Sequence, residues 1–121
     1  MAVRLNRPGD NHAKKLIADR HIVLDDRDDW SEHQPSAREE DDFIAEHGWA
    51  AYGRWHLGVD DERTKDTKGH YKFPYGDFED VHRCAILSAE SRAAQRSYDD
   101  IKSAVAHLHG MLEALHQAEA R

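Results

Sequence analysis

The amino-acid sequence predicts a mainly α-helical small domain with a C-terminal antiparallel helical hairpin and a short extended aromatic strap. Three stretches carry the prediction. In the last of them, Ile101, Ala104, Val105, Leu108, Met111, Leu112 and Leu115 recur at the i, i+3/i+4, i+7 spacing that lines up apolar side chains along a helix. Ahead of it, FEDVHRCAILSAESRAAQR is alanine-rich and free of proline and glycine, which suits a second helix. Ser97 and Asp100 give a capping signal after a very short turn near Arg96–Tyr98. Before this pair, HYKFPYGD puts Tyr71, Phe73 and Tyr75 on one side of an extended segment, and Pro74 restricts that segment to an edge strand or an irregular strap.

From the N-terminus, residues 1–10 are expected to be flexible, and Pro8-Gly9 breaks the chain before a short helix capped by Asp10 or Asn11. Ala13, Leu16 and Ile17 give that helix a narrow apolar stripe. HIVL, near 21–24, is a short strand or an extended connector. DDRDDWSEHQP (25–35) is too polar for a core element and reads as a loop anchored by Trp30. Ser36 and Glu39 stand at capping-box spacing, and Glu39, Glu40, Asp41 and Asp42 sit at the favourable, positive end of the helix dipole. This helix ends at Gly48 or runs on through WAAYGRWHLG, where Trp49, Tyr52 and Trp55 keep helical spacing, to stop at Gly58. Residues 58–70 form a charged loop. Asp77 is expected to cap a helix beginning at Phe78, with Phe78, Val81, Ala85, Ser88 and Ala89 on one face.

A chain of 121 residues, 39% hydrophobic and 34% charged, suits a single domain (1–121) with one core and a heavily solvated shell. No run approaches the roughly 18 apolar residues of a membrane span, and the N-terminus lacks the apolar region of a signal peptide. A single cysteine excludes an internal disulfide and a Cys-rich zinc site. A cytoplasmic, reducing location is the expectation. The net charge of -7 is uneven: residues 1–24 carry +3, residues 25–66 carry -9 and residues 67–121 carry -1. An acidic middle repels phosphate and disfavours duplex DNA over a broad face. The basic start is expected to pair with it.

Three groups of residues invite chemistry. His109, Glu113 and His116 fall at i, i+4 and i+7, a set able to take up zinc or iron with a fourth ligand from elsewhere. Surface histidines on a solvated helix edge are the simpler reading, and no cofactor is expected. Cys84 lies near a helix start with His82 close in sequence, the surroundings that activate a thiol. Neighbouring helical residues point about 100° apart, so a buried structural cysteine is preferred. No dinucleotide, P-loop, nucleophile-elbow or H-E-x-x-H motif occurs, which makes an enzyme the minority reading. The strap aromatics either close the core with Trp49, Tyr52 and Trp55 or form a recognition surface. In the second case Lys68, Tyr71, Lys72, Tyr75, Arg83 and Arg92 are the candidate interface, aromatics and arginine being the usual anchors.

The stretch AAYGRWHLGVDDERTKDTKGHYKFPYGDFEDVHRCAILSAESRAAQ resembles a group of small bacterial and phage-related proteins of undefined function. They share a W-H-L-G turn, a T-K-x-x-Y-K-F-P-x-G-D-F strap and a V-H-R…R-A-x-Q helix. A looser resemblance is to a short L-P-x-x-D…H-V-R-x-A…R-x-x-Q module of phage and prophage proteins. Phe73-Pro74, Asp77, Val81-His82-Arg83, Ala89, Arg92 and Gln95 match it here. The resemblance spans roughly residues 49–112, leaves the acidic segment 25–46 outside the looser module, and implies no particular activity.

The function expected is that of a non-catalytic interaction or structural protein, of possible phage or prophage origin, binding a protein partner through its aromatic and basic surface. A nucleic-acid-associated protein working through residues 1–20 and Lys68/Lys72 is the first alternative, and a metal-dependent enzyme or metal-binding protein the second. No membrane partner is expected, and self-association stays open. Arg83 or Arg92 is expected to clamp the acidic half onto the hairpin.

Overall fold

The N-terminal residues, expected to be flexible, enter a sheet. In the computed structural model, which describes residues 2–119, Val3–Leu5 form strand β1 and Arg7–Ala18 form helix α1. Pro8-Gly9 sits inside the first turn of α1 and does not precede it. Proline is tolerated there because the first amides of a helix have no intrahelical acceptor. Gly9 is required by space: a Cβ built on it would lie 1.8 Å from the His56 carbonyl oxygen. Asn6 ties the same junction, donating from Nδ2 to the carbonyls of Gly53 and His56, both at 2.9 Å.

Ile22–Val23 (β2) lead into a 3-10 turn at Arg27–Asp29, a short helix at Trp30–His33 (α2), and helix α3 (Ala37–Gly53). The polar stretch 25–35 is therefore ordered as helical turns, with Trp30 packed against the core. Ser36 and Glu39 make the full capping box. Gly48 interrupts α3 with φ 85° and ψ 171°, a left-handed kink between two helical stretches. Nothing stands within 4 Å of a Cβ placed there, so backbone angle, not space, calls for glycine.

The helix does not continue through WHLG. His56–Asp60 form strand β3, buried at every position. Tyr71–Pro74 form β4, Val81–His82 form β5, Arg83–Gln95 form α4 and Asp99–Glu119 form α5. A three-stranded antiparallel sheet has the order β1-β3-β4, with Val3 opposite Asp60 and His56 opposite Pro74. Pro74 thus lies on an edge strand, where no neighbour needs its missing N–H. Strands β2 and β5 make a second, parallel pair, Ile22 opposite Val81.

Helix α4 starts five residues later than the sequence suggests, at Arg83 instead of Phe78. Asp77 caps a turn, accepting from the amides of Glu79 and Asp80 at 3.0 and 2.8 Å, and Phe78 adopts φ 72° within it. The same side chain that would cap a helix here closes an Asx turn. The domain is mainly α-helical with a small sheet. Its core joins both parts: Leu57, Tyr75 and Val81 from the extended segments meet Ala13 and Ile17 of α1, Ile86 of α4, and Ile101, Val105, Leu108 and Leu112 of α5. Among the described residues no helix is long and apolar enough to cross a membrane.

Candidate functional site

Between the sheet and the C-terminal helices, residues 25–34 lie along α4. This seam has a buried polar end and an open basic end. The polar end is built on Asp25, just before the 3-10 turn. Its Oδ1 accepts from the backbone amide of Cys84 (2.7 Å), the second residue of α4. Helix α4 has no side-chain cap of its own, so Asp25 caps it from 59 residues away.

Its other oxygen, Oδ2, gathers three donors: His33 Nδ1 at 2.7 Å, His82 Nδ1 at 2.7 Å and Cys84 Sγ at 3.0 Å. The far ring nitrogen of His82 donates to Asp77 Oδ2 at 2.8 Å. Burial alone would raise the pKa of Asp25, but the hydrogen bonds from Cys84, His33 and His82 overcome it and hold the carboxyl at about 2. Burial opposes a charge on His82 too, yet Asp77 and Asp25 outweigh it and the pKa is raised, so both ring nitrogens act as donors. Trp30 covers the cluster, its ring centroid 5.8 Å from that of His82. Arg83 clamps the arrangement by donating to the Asp25 backbone carbonyl (3.1 Å) and to Glu113 of α5 (2.7 Å).

Cys84 lies at the helix start, as a reactive thiol would, but its setting works against attack. It is fully buried, and burial together with the neighbouring Asp25 carboxylate pushes its pKa well above the usual thiol range. The thiol is a donor held against an anion.

The open end is a cleft of about 560 Å³ lined by Arg27, Asp28, Trp30, Gln34, Phe73 and Arg92, among others, so two cations there face one carboxylate. A second cleft of about 340 Å³ is lined by Val3, Lys72, Phe73, Arg92, Arg96 and Tyr98. Phe73 and Arg92 belong to both. Phe73 holds φ 60° inside β4, a left-handed angle that costs a non-glycine residue energy. Among the described residues, Lys72, Arg92 and Arg96 have no carboxylate at ion-pair distance.

Of the interface candidates, only Lys72 and Arg92 meet, at the second cleft. Lys68 is paired with Glu40 and Asp41 (3.5 and 2.8 Å). Tyr71 packs among Trp49, Tyr52 and His56, its hydroxyl donating to the Lys65 carbonyl. Tyr75 is fully buried and donates to the Arg54 carbonyl at 2.7 Å. Arg83 secures Asp25 through a carbonyl, and its carboxylate partner is Glu113. On α5, His109 contacts Glu90 (3.2 Å) and Glu113 (3.5 Å), Glu113 is taken by Arg83, and His116 is exposed. Of the basic N-terminal residues, Arg4 pairs with Asp61 and Lys14 with Asp10.

Asp25 and His33 do not stand out in the sequence, because both lie in a polar run and Asp25 meets His82 and Cys84 only across a long stretch of chain. His82 and Cys84 were visible as a pair, but not the carboxylate between them. No family model matches the chain, and neither the curated proteins nor the solved structures give a match.

Proposed function

We propose that this protein is a non-catalytic interaction module that takes an acidic segment of a protein partner into the basic clefts along β4 and α4. The observation that carries the reading is the concentration of Arg27, Lys72, Arg92 and Arg96 around Trp30, Phe73 and Tyr98 in a chain of net charge -7. Lys72, Arg92 and Arg96, without a carboxylate at ion-pair distance and beside aromatic anchors, favour an anionic ligand that also brings apolar side chains, while Arg27 is held by Ser91 at 3.3 Å. Two adjoining clefts that share Arg92 and Phe73 suit an extended chain better than a compact solute. In this reading α4 and α5 act as an antiparallel hairpin carrying the cationic edge, the strap supplies Lys72 and Phe73, and the resemblance to phage-related proteins gives the context.

The nucleic-acid alternative loses Lys68, Arg4 and Lys14 to pairing with acids and keeps Arg7, Lys15, Arg20 and Lys72. Fluorescence anisotropy with a labelled glutamate-rich peptide containing phenylalanine, against an oligothymidylate of similar length, separates the readings. The peptide should bind the full chain, and Arg92→Ala should weaken it about tenfold or more, about 1.4 kcal/mol, with the melting temperature unchanged. Tighter binding of the oligonucleotide with a steep salt dependence would replace this reading with the nucleic-acid one. A drop of several degrees in melting temperature with peptide binding intact would make Arg92 a structural clamp.

A further inference from the structure

The buried end of the seam brings together one carboxylate, two imidazoles and one thiol, and one ligand atom from each lies within 4.8 Å of all the others. We propose that Asp25, His33, His82 and Cys84 bind a single divalent cation of the zinc class, with Asp77 fixing the His82 ring. Mixed nitrogen, sulfur and oxygen donors in fourfold number are the set that suits zinc, while thiolate and imidazole disfavour magnesium and calcium.

The distances fit with a small movement. Tetrahedral coordination at zinc bond lengths separates ligand atoms by about 3.3–3.8 Å. Asp25 Oδ2 now stands 2.7 Å from each imidazole nitrogen and 3.0 Å from the sulfur. A retreat of that oxygen by roughly 1 Å opens the centre that the three donors already face. A cation also replaces a crowded arrangement, three hydrogens on one oxygen, with four bonds to one ion.

The surroundings supply what a metal histidine needs. His82 presents Nδ1 to the centre and gives Nε2–H to Asp77, the carboxylate–histidine pairing that sets ring orientation and raises ligand basicity. Asp77 is itself held by the amides of Glu79 and Asp80. Asp25 is anchored through Oδ1 and its carbonyl, which leaves Oδ2 for the metal. His33, with 37% of its side chain exposed, is the entry side. Among the described residues no other His, Cys, Asp and Glu group gathers in this way, and on α5 His109 is engaged with Glu90 and Glu113.

Charge and protons balance. Binding releases the thiol proton of Cys84 and the Nδ1 proton of His82 to the buffer, and the proton that His33 holds on Nδ1 moves to its Nε2 by exchange with water, so that Nδ1 is free to coordinate. No group changes oxidation state. Asp25 and the Cys84 thiolate neutralise the dication, so the buried centre carries no net charge. With all four positions taken by protein, the ion is structural: it pins residues 25–33, which carry the Arg27 and Trp30 wall of the cleft, to the start of α4.

The test is titration of the chelator-treated full chain with cobalt(II) under reducing conditions. One equivalent should produce tetrahedral d–d bands with a thiolate-to-cobalt charge-transfer band, and one equivalent of zinc should bleach both. Cys84→Ser, with its fold checked by circular dichroism, should lose the charge-transfer band. Asp77→Asn, outside the ligand set, should keep the stoichiometry and weaken affinity about 10–100-fold. Absence of tetrahedral bands overturns the proposal, as does a charge-transfer band that survives Cys84→Ser or binding that disappears in His109→Ala/His116→Ala. None of these outcomes depends on whether the basic clefts bind a peptide.

Discussion

The two sides of this molecule are held by opposite means. Around β3 the chain is closed by apolar and aromatic contact: Leu57 is fully buried, Trp55 stacks on Tyr75 at 5.5 Å, and Tyr52 packs on His56 at 4.6 Å. Along the seam, residues 25–33 are tied to β5 and the start of α4 by hydrogen bonds that converge on one carboxylate. The first kind of closure is spread over many side chains and tolerates small repacking. The second is concentrated, so removal of one group exposes several partners at once.

The largest expected effect follows from that concentration. Asp25→Ala leaves His82 Nδ1, Cys84 and the first turn of α4 without an acceptor, and should destabilise the domain by about 3–5 kcal/mol in urea unfolding. A loss below about 1 kcal/mol, the worth of an ordinary cap, would mean that packing, not Asp25, holds the seam. On the other side, Leu57→Ala should cost about 3 kcal/mol through the cavity it leaves. That cost should stay the same with and without added zinc, whereas the Asp25→Ala cost should grow when zinc is present.

Acid should divide the two regions further. His56 is buried, which lowers its pKa to about 4, with Nδ1–H donating to the Tyr52 carbonyl. The unfolded chain takes up that proton near pH 6.5, so the His56 contribution is present above that pH and fades as pH falls toward 4. His82 runs the other way in metal-free protein: its raised pKa stabilises the fold below the ordinary histidine value and is lost as pH rises through the raised one. Asp25, held at about 2, keeps its contribution above pH 4 and loses it as pH falls toward 2. Amide exchange between pH 7 and 4.5 should therefore lose protection around β3 and gain it at the start of α4. Parallel changes in both places would erase the distinction.

The smallest effect tests the start of α3, where the capping box is local and faces water. Ser36→Ala should cost about 1 kcal/mol and leave both cobalt spectra and peptide binding unchanged.

What could be read from the sequence follows the same division. Local signals were legible: the Ser36 and Glu39 box, the apolar repeat from Ile101 to Leu112, and the confinement of Pro74 to an edge all depend on near neighbours. Strand β3 was hidden because Trp49, Tyr52 and Trp55 keep helical spacing, while the strand is decided by burial on both faces. The start of α4 was misplaced because an aspartate before two free amides serves an Asx turn as well as a helix cap. Asp25 and His33 read as members of a polar loop. Their meaning comes from His82 and Cys84, residues that only the folded chain places beside them.

The cap on α4 has a consequence for how the chain is assembled. Helices α4 and α5 are neighbours in sequence and can meet early. The group that completes the start of α4 arrives across a loop of 59 residues, whose closure costs entropy before any bond rewards it. Residues 25–36 should therefore dock late and come away first. In the metal-free protein this is the segment that a protease would find open while α4 and α5 are still packed together.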